Sequence, residues 1–386
     1  MAEEIWLLGG ARTAFGRFGG GLRDRAVAEL AIPPVTAALQ RSAIDPEAVD
    51  HLVFGNVLPT TPEAPFASRV TALRSGMRTE TACLNVNRAC GTGMQAITSA
   101  AEQILTGRSQ LAMACGAEAF SAAPHAIRSR WGAKRGAPPV EDMLDWAYRD
   151  PFGGQLMGET AEALSDLGGI ARGRQDAYAL RSQQRTALAQ EKGYLAEEIV
   201  PIGGFDEDEF ARPQVTEEDL AALPTPFRSS GRVTPGSSSG INDGGAAIVV
   251  AGRSEGERRG LEPWGRLLDW TWVGVEPEVM GRGPVPATRT LFERNGIGPE
   301  DLDVAEVNEA FAVVVLHAID ELGLDPERVN PNGGAIAIGH PPGATGLRMT
   351  LAALNELHRC GGRLGLVTLC LGAGQGMALL VENLRR

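Results

Sequence analysis

The sequence has few cysteines, and their spacing argues against two classes of protein. No two of them form a C-x-x-C pair, and their odd number suits neither a disulfide framework nor a zinc site. We therefore expect reduced thiols in a reducing compartment such as the cytoplasm, and no bound metal. The cysteines are Cys83, Cys90, Cys115, Cys360 and Cys370.

The sequence also lacks an excess of positive charge and an apolar segment suited to a membrane. With a net charge of -12, its surface would repel nucleic acid and anionic membranes, so neither is expected as a partner. The N-terminus has no basic segment followed by an apolar run, which argues against a secretory signal. The longest uncharged stretch, 364–381, has helix-breaking glycines at its middle, so it is predicted to form two buried strands and a turn.

Short apolar segments alternate with segments of helical spacing, in a chain of 386 residues that is long enough for two or three packed domains. This alternation is typical of an α/β sandwich with a mainly parallel central sheet. In the first part of the chain, strands are predicted at 5–9, 52–55 and 110–116, and helices at 24–40 and 93–106.

An irregular region, rich in proline and glycine and with one predicted helix at 175–192, separates this part from a second alternating series. We divide the chain into a first core half, 1–120 with 245–270, an inserted domain, 121–244, and a second core half, 271–386. In the second series, strands are predicted at 246–250 and 304–307, and helices at 287–295 and from about 308.

Two glycine-rich segments occupy corresponding places in the two series. The segment around Cys90 opens a predicted helix that is followed by the strand near Leu111, and the segment around His340 opens one that is followed by the strand near Leu364. If the halves are copies of one unit, Cys90 and His340 stand at equivalent helix starts. A pseudo-two-fold arrangement would then bring them together.

Cys90 has the surroundings of a covalent nucleophile. A predicted helix follows it, and the free N–H groups and dipole at a helix start stabilise a thiolate. The small residues Gly91, Thr92 and Gly93 allow a substrate to approach the sulfur. We therefore predict a depressed pKa for the Cys90 thiol; the alternative is a small, buried apolar side chain.

His340 and Cys370 are the candidate partners of Cys90. His340 lies in the glycine-rich segment 332–343 and is suited to act as a base, although it can also simply cap its own helix. Cys370 ends an apolar strand and enters the segment 371–376, whose bare backbone can present N–H groups to an oxyanion. A buried free cysteine is the alternative interpretation of Cys370.

Eight sequence blocks follow one another in register along nearly the whole chain. They are ART at 11–13, VNRAC at 86–90, MGETAE at 157–162, SGINDG at 239–244, GPVPA at 283–287, NEAFA at 308–312, GGAIAIGH at 333–340 and CLG at 370–372. This order resembles that of the thiolase family. The resemblance implies a layered αβαβα fold of two similar halves with an inserted loop domain, assembled as a homodimer or homotetramer.

The resemblance also implies a reaction and the residues that perform it. Thiolases condense coenzyme A thioesters or cleave 3-ketoacyl-CoA, so an acetyl-CoA C-acetyltransferase is expected, or a degradative thiolase of broader chain length, with no permanent cofactor. Cys90 would carry the acyl group, His340 would activate it, and Cys370 would exchange a proton with the substrate. Asn308, through a water, and His340 would form one oxyanion hole, and the N–H groups of Cys90 and Gly372 the other.

Coenzyme A binding is expected largely in the inserted domain, by the same resemblance. Nucleotide or pantetheine contacts are matched by Arg212, Phe227, Gly236 and Ser239, and pocket walls by Met157, Met280 and Phe311. Arg212, Arg228 and Arg232 cluster in an otherwise acidic chain, as a phosphate-bearing ligand requires. The alternative is a merely solvated basic face.

Several positions depart from the family pattern. Thr92 stands where a serine is usual, and Ala373 where many members have glycine. Leu156 stands where short-chain biosynthetic members carry histidine, which weakens an assignment to the acetoacetyl-specific subgroup. The acyl chain length therefore stays open at this stage.

Three other classes of protein fit these residues less well. The segment 236–240 fits the G-x-S-x-G elbow of a serine hydrolase with Ser238 as nucleophile, but no helix is predicted after it. The segment 91–96, with Glu118 on a later strand, only loosely matches a dinucleotide fingerprint. A non-catalytic acyl-CoA-binding protein is disfavoured because Cys90, His340 and Cys370 are all intact.

Overall fold

The computed structural model describes residues 3–132 and 135–385. The helices are α1 (Val27–Arg41), α2 (Ala67–Arg74), α3 (Thr92–Leu105), α4 (Met143–Tyr148), α5 (Met157–Leu167), α6 (Arg172–Glu191), α7 (Glu217–Ala221), α8 (Arg253–Arg259), α9 (Pro284–Asn295), α10 (Ala312–Leu322), α11 (Ala335–Ile338) and α12 (Pro342–Cys360). The strands are β1 (Ile5–Arg12), β2 (Gly16–Arg17), β3 (His51–Gly55), β4 (Ala82–Val86), β5 (Leu111–Ala119), β6 (His125–Ile127), β7 (Val140–Asp142), β8 (Asn242–Gly252), β9 (Gly265–Gly274), β10 (Val304–Val307), β11 (Leu364–Leu371) and β12 (Gln375–Asn383).

Two sets of strands with the same internal order build the core. The order is β1-β8-β5-β3 in the first set, with β4 beyond β3, and β9-β12-β11-β10 in the second. A short pairing of β1 with β9 joins the two sets. In both sets the first strand is antiparallel to its neighbour and the outermost pair is parallel. The repeat suggested by the spacing of the glycine-rich segments is thus visible in the strand order.

The prediction of a mainly parallel sheet was wrong. Among the strands of the described residues, only β3–β4, β3–β5 and β10–β11 pair in parallel, and the pairings nearer the middle are antiparallel. In the second half the reason is the connection between β11 and β12, a turn at 372–374 that is too short for a crossover. Short apolar runs show that strands are buried but not in which direction they run.

Alternating side chains of the strands are buried on opposite faces, which gives the layered arrangement. On β8, Ala246, Ile248 and Val250 belong to the central core, together with α3, α12 and strands of the second half. Their neighbours Ala247 and Val249 pack on the outer face with α1. The outer face of the second half packs against α9 and α10. The layers are therefore helices, sheet, two central helices, sheet and helices, as the family resemblance implied.

The two central helices cross at their first turns, where both carry glycine. A Cβ atom at Gly93 of α3 would lie 2.9 Å from the backbone nitrogen of Gly346 in α12. One at Gly346 would lie 2.4 Å from the backbone nitrogen of Met94. Real side chains do not tolerate such distances, so these glycines permit the close crossing.

The region between β5 and β8 contains α4 to α7 and the β6–β7 hairpin. It is tied to the core by Arg12, whose guanidinium is fully buried at the end of β1. That guanidinium donates to both carboxylate oxygens of Asp208, at 2.7 and 2.8 Å, and to Glu198 at 2.9 Å. A buried charge with several partners of this kind fixes the returning chain against the first half.

The predicted boundaries need one correction near the site. The helix expected from about 308 begins at Ala312, because 308–311 is held in an irregular segment. There the backbone N–H of Asn308 donates to Thr368, and the carbonyl of Ala310 accepts from Ser239. The two strands and turn predicted for 364–381 are present as β11 and β12. Within the described ranges, every helix is too short or too polar to cross a membrane.

Candidate active site

Cys90 lies two residues before the start of α3, as predicted. The preceding residue, Ala89, has a left-handed backbone with φ 46°. Thr92 closes the loop: its hydroxyl accepts from the N–H of Arg88 at 2.8 Å and donates to the carbonyl of Ala89 at 2.7 Å. A threonine hydroxyl makes both bonds as a serine would, so the departure from the family pattern at Thr92 keeps the loop geometry.

The predicted direction of the Cys90 pKa was wrong. Burial raises the pKa of the thiol; the N–H groups of Gly372 and of Cys90 itself lower it, and the nearby Glu118 carboxylate raises it again. The helix start supplies the N–H groups that the prediction relied on. They do not offset the loss of solvent around the sulfur.

His340 lies two residues before α12, in the same position relative to its helix as Cys90 to α3. Its Nδ1 is 2.7 Å from the hydroxyl of Thr345, and that hydroxyl donates to the carbonyl of Pro341 at 2.9 Å. Since a hydroxyl has one proton, Thr345 must accept from Nδ1–H. We therefore assign the proton of neutral His340 to Nδ1, which leaves Nε2 with a lone pair.

Two further features keep His340 neutral and in place. Burial lowers its pKa to about 4, and the charge of Arg348 acts in the same direction. Its backbone N–H donates to the side-chain oxygen of Asn242 at 3.0 Å. At physiological pH the imidazole is uncharged, so it is ready to accept a proton through Nε2.

Asn308 faces the same nitrogen. Its amide nitrogen is 3.4 Å from Nε2 of His340, and its amide oxygen is buried without a protein partner among the described residues. The neighbouring carboxylate of Glu309 fixes this segment, because it accepts from the hydroxyls of Tyr178 and Ser182, both at 2.7 Å, and from the N–H of Ile336 at 3.0 Å. The structure thus brings Asn308 to His340, as the family resemblance implied.

Cys370 and Gly372 also lie near the Cys90 sulfur. Cys370, at the end of β11, is fully buried. Burial raises its pKa, and charge on Cys90 raises it further, so its thiol is protonated at neutral pH and lies near the sulfur of Cys90. Gly372 follows in the turn between β11 and β12 and directs its N–H at the Cys90 sulfur.

A mostly apolar cavity of about 260 Å³ joins these residues. Of the residues predicted for the site, it is lined by Cys90, His340, Gly372, Met157, Phe227, Ser239, Met280 and Phe311. Asn308 and Cys370 are not among its lining residues and reach the site through their contacts with His340 and Cys90.

Arg212 and Gly236 line a separate, smaller cavity of about 90 Å³. Within the described ranges Arg212 makes no ion pair, and its guanidinium lies over the ring of Phe210. The predicted arginine cluster is otherwise occupied: Arg228 and Arg232 both pair with Asp166, at 2.6 and 3.1 Å. Of the three arginines, Arg212 is the one whose charge is left for a ligand.

Residues that the sequence analysis did not predict complete the site. Val57, Phe120, Tyr148 and Ile241 add apolar wall to the main cavity, together with Leu156, one of the departures from the family pattern. Asn242 and Thr345 hold His340. Both lay within or beside the recognised blocks, but only their contacts in three dimensions reveal what they do.

The alternative nucleophile Ser238 does not have the geometry of a hydrolase elbow. Its hydroxyl donates to the carbonyl of Thr234 at 2.7 Å. The chain then continues into β8 and not into a helix. The strand, sharp turn and helix that such an elbow requires are therefore not formed around Ser238.

Comparison with known proteins matches the chain to one family throughout. The family described as "Thiolase, N-terminal domain" matches residues 5–254, and "Thiolase, C-terminal domain" matches residues 261–383. The β-ketothiolase BktB of Cupriavidus necator is 45% identical over 100% of both chains. The 3-oxoadipyl-CoA/3-oxo-5,6-dehydrosuberyl-CoA thiolase of Escherichia coli is 41% identical over 99% of this chain and 100% of its own.

Solved structures agree with the sequence matches. Human mitochondrial 3-ketoacyl-CoA thiolase in complex with CoA superposes with a TM-score of 0.97 at 37% identity, over 99% of this chain and 98% of that one. The acetyl-CoA acetyltransferase of Bacillus anthracis gives a TM-score of 0.96 at 39% identity, over 99% of both chains.

Proposed function

The chain belongs to the thiolase family of acyltransferases, which condense or cleave CoA thioesters, and we propose that its Cys90 carries the acyl group between two half-reactions. The observation that supports this most strongly is the meeting of Cys90, His340 and Gly372 in one cavity. The following steps assign a role to each residue.

In the first half-reaction, the Cys90 sulfur attacks the thioester carbonyl of an acyl-CoA. The thiol proton passes to Nε2 of His340, while Nδ1–H of the same ring stays hydrogen-bonded to the Thr345 hydroxyl. The carbon–sulfur bond to coenzyme A then breaks, Cys370 gives its thiol proton to the leaving thiolate, and His340 keeps the proton that it took from Cys90. Since both partners are neutral beforehand, the proton must move as the new bond forms, which is general base catalysis.

Negative charge on the carbonyl oxygen requires donors that are already in place. The N–H groups of Cys90 and Gly372 act on the sulfur of Cys90, so they also face a carbonyl carbon bonded to it. We assign them to the oxyanion of the acyl-enzyme step. Asn308, with a water, and protonated His340 would serve the second thioester.

In condensation, the Cys370 thiolate formed in the first half-reaction removes a proton from the α-carbon of the second thioester. The resulting carbon nucleophile attacks acyl-Cys90, and the released Cys90 sulfur regains its proton from His340. Thiolysis runs in the opposite order: Cys370 first donates its proton to the departing α-carbon and then accepts the proton of the attacking CoA thiol. Its raised pKa keeps the resting thiol protonated and makes its thiolate a strong base for the α-carbon.

Coenzyme A binding is proposed along the inserted domain, 121–244. Phe227 and Ser239 line the main cavity, which suits pantetheine, and Arg212 and Gly236 line the smaller cavity, which suits the phosphate-bearing end. An Arg212→Met enzyme should show a raised KM for acetyl-CoA at unchanged kcat, since the contact is the same in ground and transition states.

Two activities remain within the family. An acetyl-CoA C-acetyltransferase is the first candidate. A thiolase of broader chain length is the second, and it is favoured by the apolar wall in which Leu156 and Phe120 take part. Thiolysis rates across a series of 3-ketoacyl-CoA lengths decide between them, because only the second activity persists beyond acetoacetyl-CoA.

We also propose a homodimer or homotetramer in the cytoplasm. The edge strand β4 exposes Leu84, and the nearby Phe66 is 66% exposed, as expected for a surface that pairs with a second copy. The five free cysteines suit a reducing compartment. Sedimentation should give a species of two or four chains, and a monomer at micromolar concentration would contradict the assembly.

Substitutions of the two active-site cysteines should impair different half-reactions. Cys90→Ala should abolish acyl transfer, since no covalent intermediate can form. Cys370→Ala should still become acetylated by acetyl-CoA, yet condense more slowly by about two to four orders of magnitude, the usual contribution of acid–base catalysis. Intact-mass spectrometry and deuterium exchange at the acetyl methyl measure the two steps. A Cys370→Ala enzyme that condenses and exchanges at the wild-type rate would refute the role of Cys370.

Removing the partner of Nδ1 should weaken His340 as a base. In Thr345→Val the imidazole is no longer held as the Nδ1–H tautomer, so acetylation of Cys90 should slow by roughly 10- to 100-fold, part of the usual contribution of a positioned base. Thr350→Val is the matched control, because that hydroxyl also donates to a carbonyl in α12 but does not touch His340. Equal rates of Cys90 acetylation in Thr345→Val and Thr350→Val would refute this role of Thr345.

A further inference from the structure

Glu118 is a buried carboxylate that the reaction scheme does not use. It stands near the end of β5, with no exposed surface. One of its oxygens accepts from the amide of Asn56 at 2.7 Å and from the N–H of Leu58 at 3.0 Å. The other accepts from the N–H of Gly343 at 3.1 Å, and the N–H of Val57 is 3.2 Å from both. Four donors from two distant segments thus converge on one side chain.

The first segment leads to the nucleophile. Val57 lines the active-site cavity, and its carbonyl accepts from the side chain of Asn87 at 3.0 Å. The oxygen of the same side chain accepts from the N–H of Ala89, the residue before Cys90. The turn at 56–58 is therefore hydrogen-bonded to the loop that carries Cys90.

The second segment leads to the base. Gly343 is in the first turn of α12, three residues after His340. Its carbonyl group packs so closely on β5 that a Cβ at Gly116 would lie 2.2 Å from the Gly343 oxygen. Glu118 is the side chain that hydrogen-bonds both to this helix start and to the turn behind Cys90.

We propose that Glu118 is a positioning residue whose carboxylate ties the turn at 56–58 to the start of α12 and so fixes Cys90 and His340 relative to each other. The proposal rests on the function proposed above. Because Glu118 does not line the cavity, it acts through its neighbours and not by touching the substrate.

The charge state of Glu118 gives this role a measurable signature. Burial raises its pKa to about 8, the N–H groups of Leu58, Val57 and Gly343 lower it, and Asp243 raises it. Burial raises the pKa of both Cys90 and Tyr148, and the charge of this carboxylate raises both further. A proton on Glu118 converts one accepting oxygen into a hydroxyl directed at N–H groups, so the tie should fail as the pH falls through about 8.

The reacting pair does not titrate in that range. His340 has a pKa of about 4, and the pKa of Cys90 is raised above its ordinary value. Between pH 6 and 8 both stay neutral. A change in the rate of Cys90 acylation between pH 6 and 8 must therefore come from another group. A variant of Glu118 shows whether that group is Glu118 or Asp243.

The decisive variant is Glu118→Gln. Glutamine keeps one accepting oxygen and places an amide N–H₂ opposite the remaining N–H groups, so one side of the tie is lost. At pH 8, acetylation of Cys90 by acetyl-CoA, followed by rapid-quench mass spectrometry, should slow about 10- to 100-fold, as expected for a small misplacement of reacting groups. The concentration of acetyl-CoA that gives half the maximal rate should change less than about twofold.

Asp303→Asn is the matched control. Asp303 also accepts from two backbone N–H groups, those of Arg363 and Leu364, but at the beginning of β11, remote from the cavity. The Asp303→Asn enzyme should become acetylated on Cys90 at the wild-type rate. A loss equal to that of Glu118→Gln would overturn the proposal, because the effect would then belong to any lost carboxylate.

The pH profile tests the role without a variant. In the wild type, the acetylation rate should fall as the pH is lowered from 8 to 6, towards the rate of Glu118→Gln, whose own profile should be flat over the same range. A flat wild-type profile, or a Glu118→Gln enzyme with the wild-type rate, would overturn the proposal. Failure of wild-type Cys90 to gain any acetyl group would instead refute the proposed function on which this role depends.

Discussion

The close crossing of α3 and α12 is the constraint on which the site depends. Each helix begins two residues after a reactive side chain, Cys90 in one case and His340 in the other. The glycines at the crossing let the two first turns touch backbone to backbone, which no larger residue allows. The similar strand order of the two halves places these helices in one layer. Nucleophile and base therefore meet because the fold repeats, although they are 250 residues apart in the chain.

The second consequence of this arrangement is burial. The central layer is covered by both sheets, so ionised groups at its end are poorly solvated. For Cys90 this disfavours the thiolate, and for His340 it disfavours the imidazolium. The resting site is a neutral thiol beside a neutral imidazole, surrounded by N–H donors that stabilise charge only when it forms on the substrate. Such a site depends on orientation more than on a preformed thiolate, which explains why Thr345, Asn242 and Glu309 are fully engaged in holding its parts.

The sequence predicted the positions of Cys90 and His340 in the fold better than it predicted the electrostatics around them. Spacing alone placed Cys90 and His340 at equivalent helix starts, because a repeated unit leaves a repeated pattern. The predicted depression of the Cys90 pKa was wrong, because local N–H donors at a helix start do not account for the solvent lost through tertiary packing. The prediction of a mainly parallel sheet was wrong for a related reason, since apolar runs indicate burial but not strand direction. Contacts such as Thr345 with His340, or Arg228 with Asp166, join side chains whose proximity no local pattern encodes.

The resting state of Cys90 can be measured directly through the pH dependence of its alkylation. Iodoacetamide reacts with the thiolate, so the rate at Cys90, followed by peptide mass spectrometry, reports the thiolate fraction. A neutral pair predicts slow reaction at pH 7 and a rate that continues to rise above pH 8.5, with acyl-CoA protecting the residue. A rate that has already reached its plateau by pH 7 would mean a resting thiolate–imidazolium pair and would contradict the account.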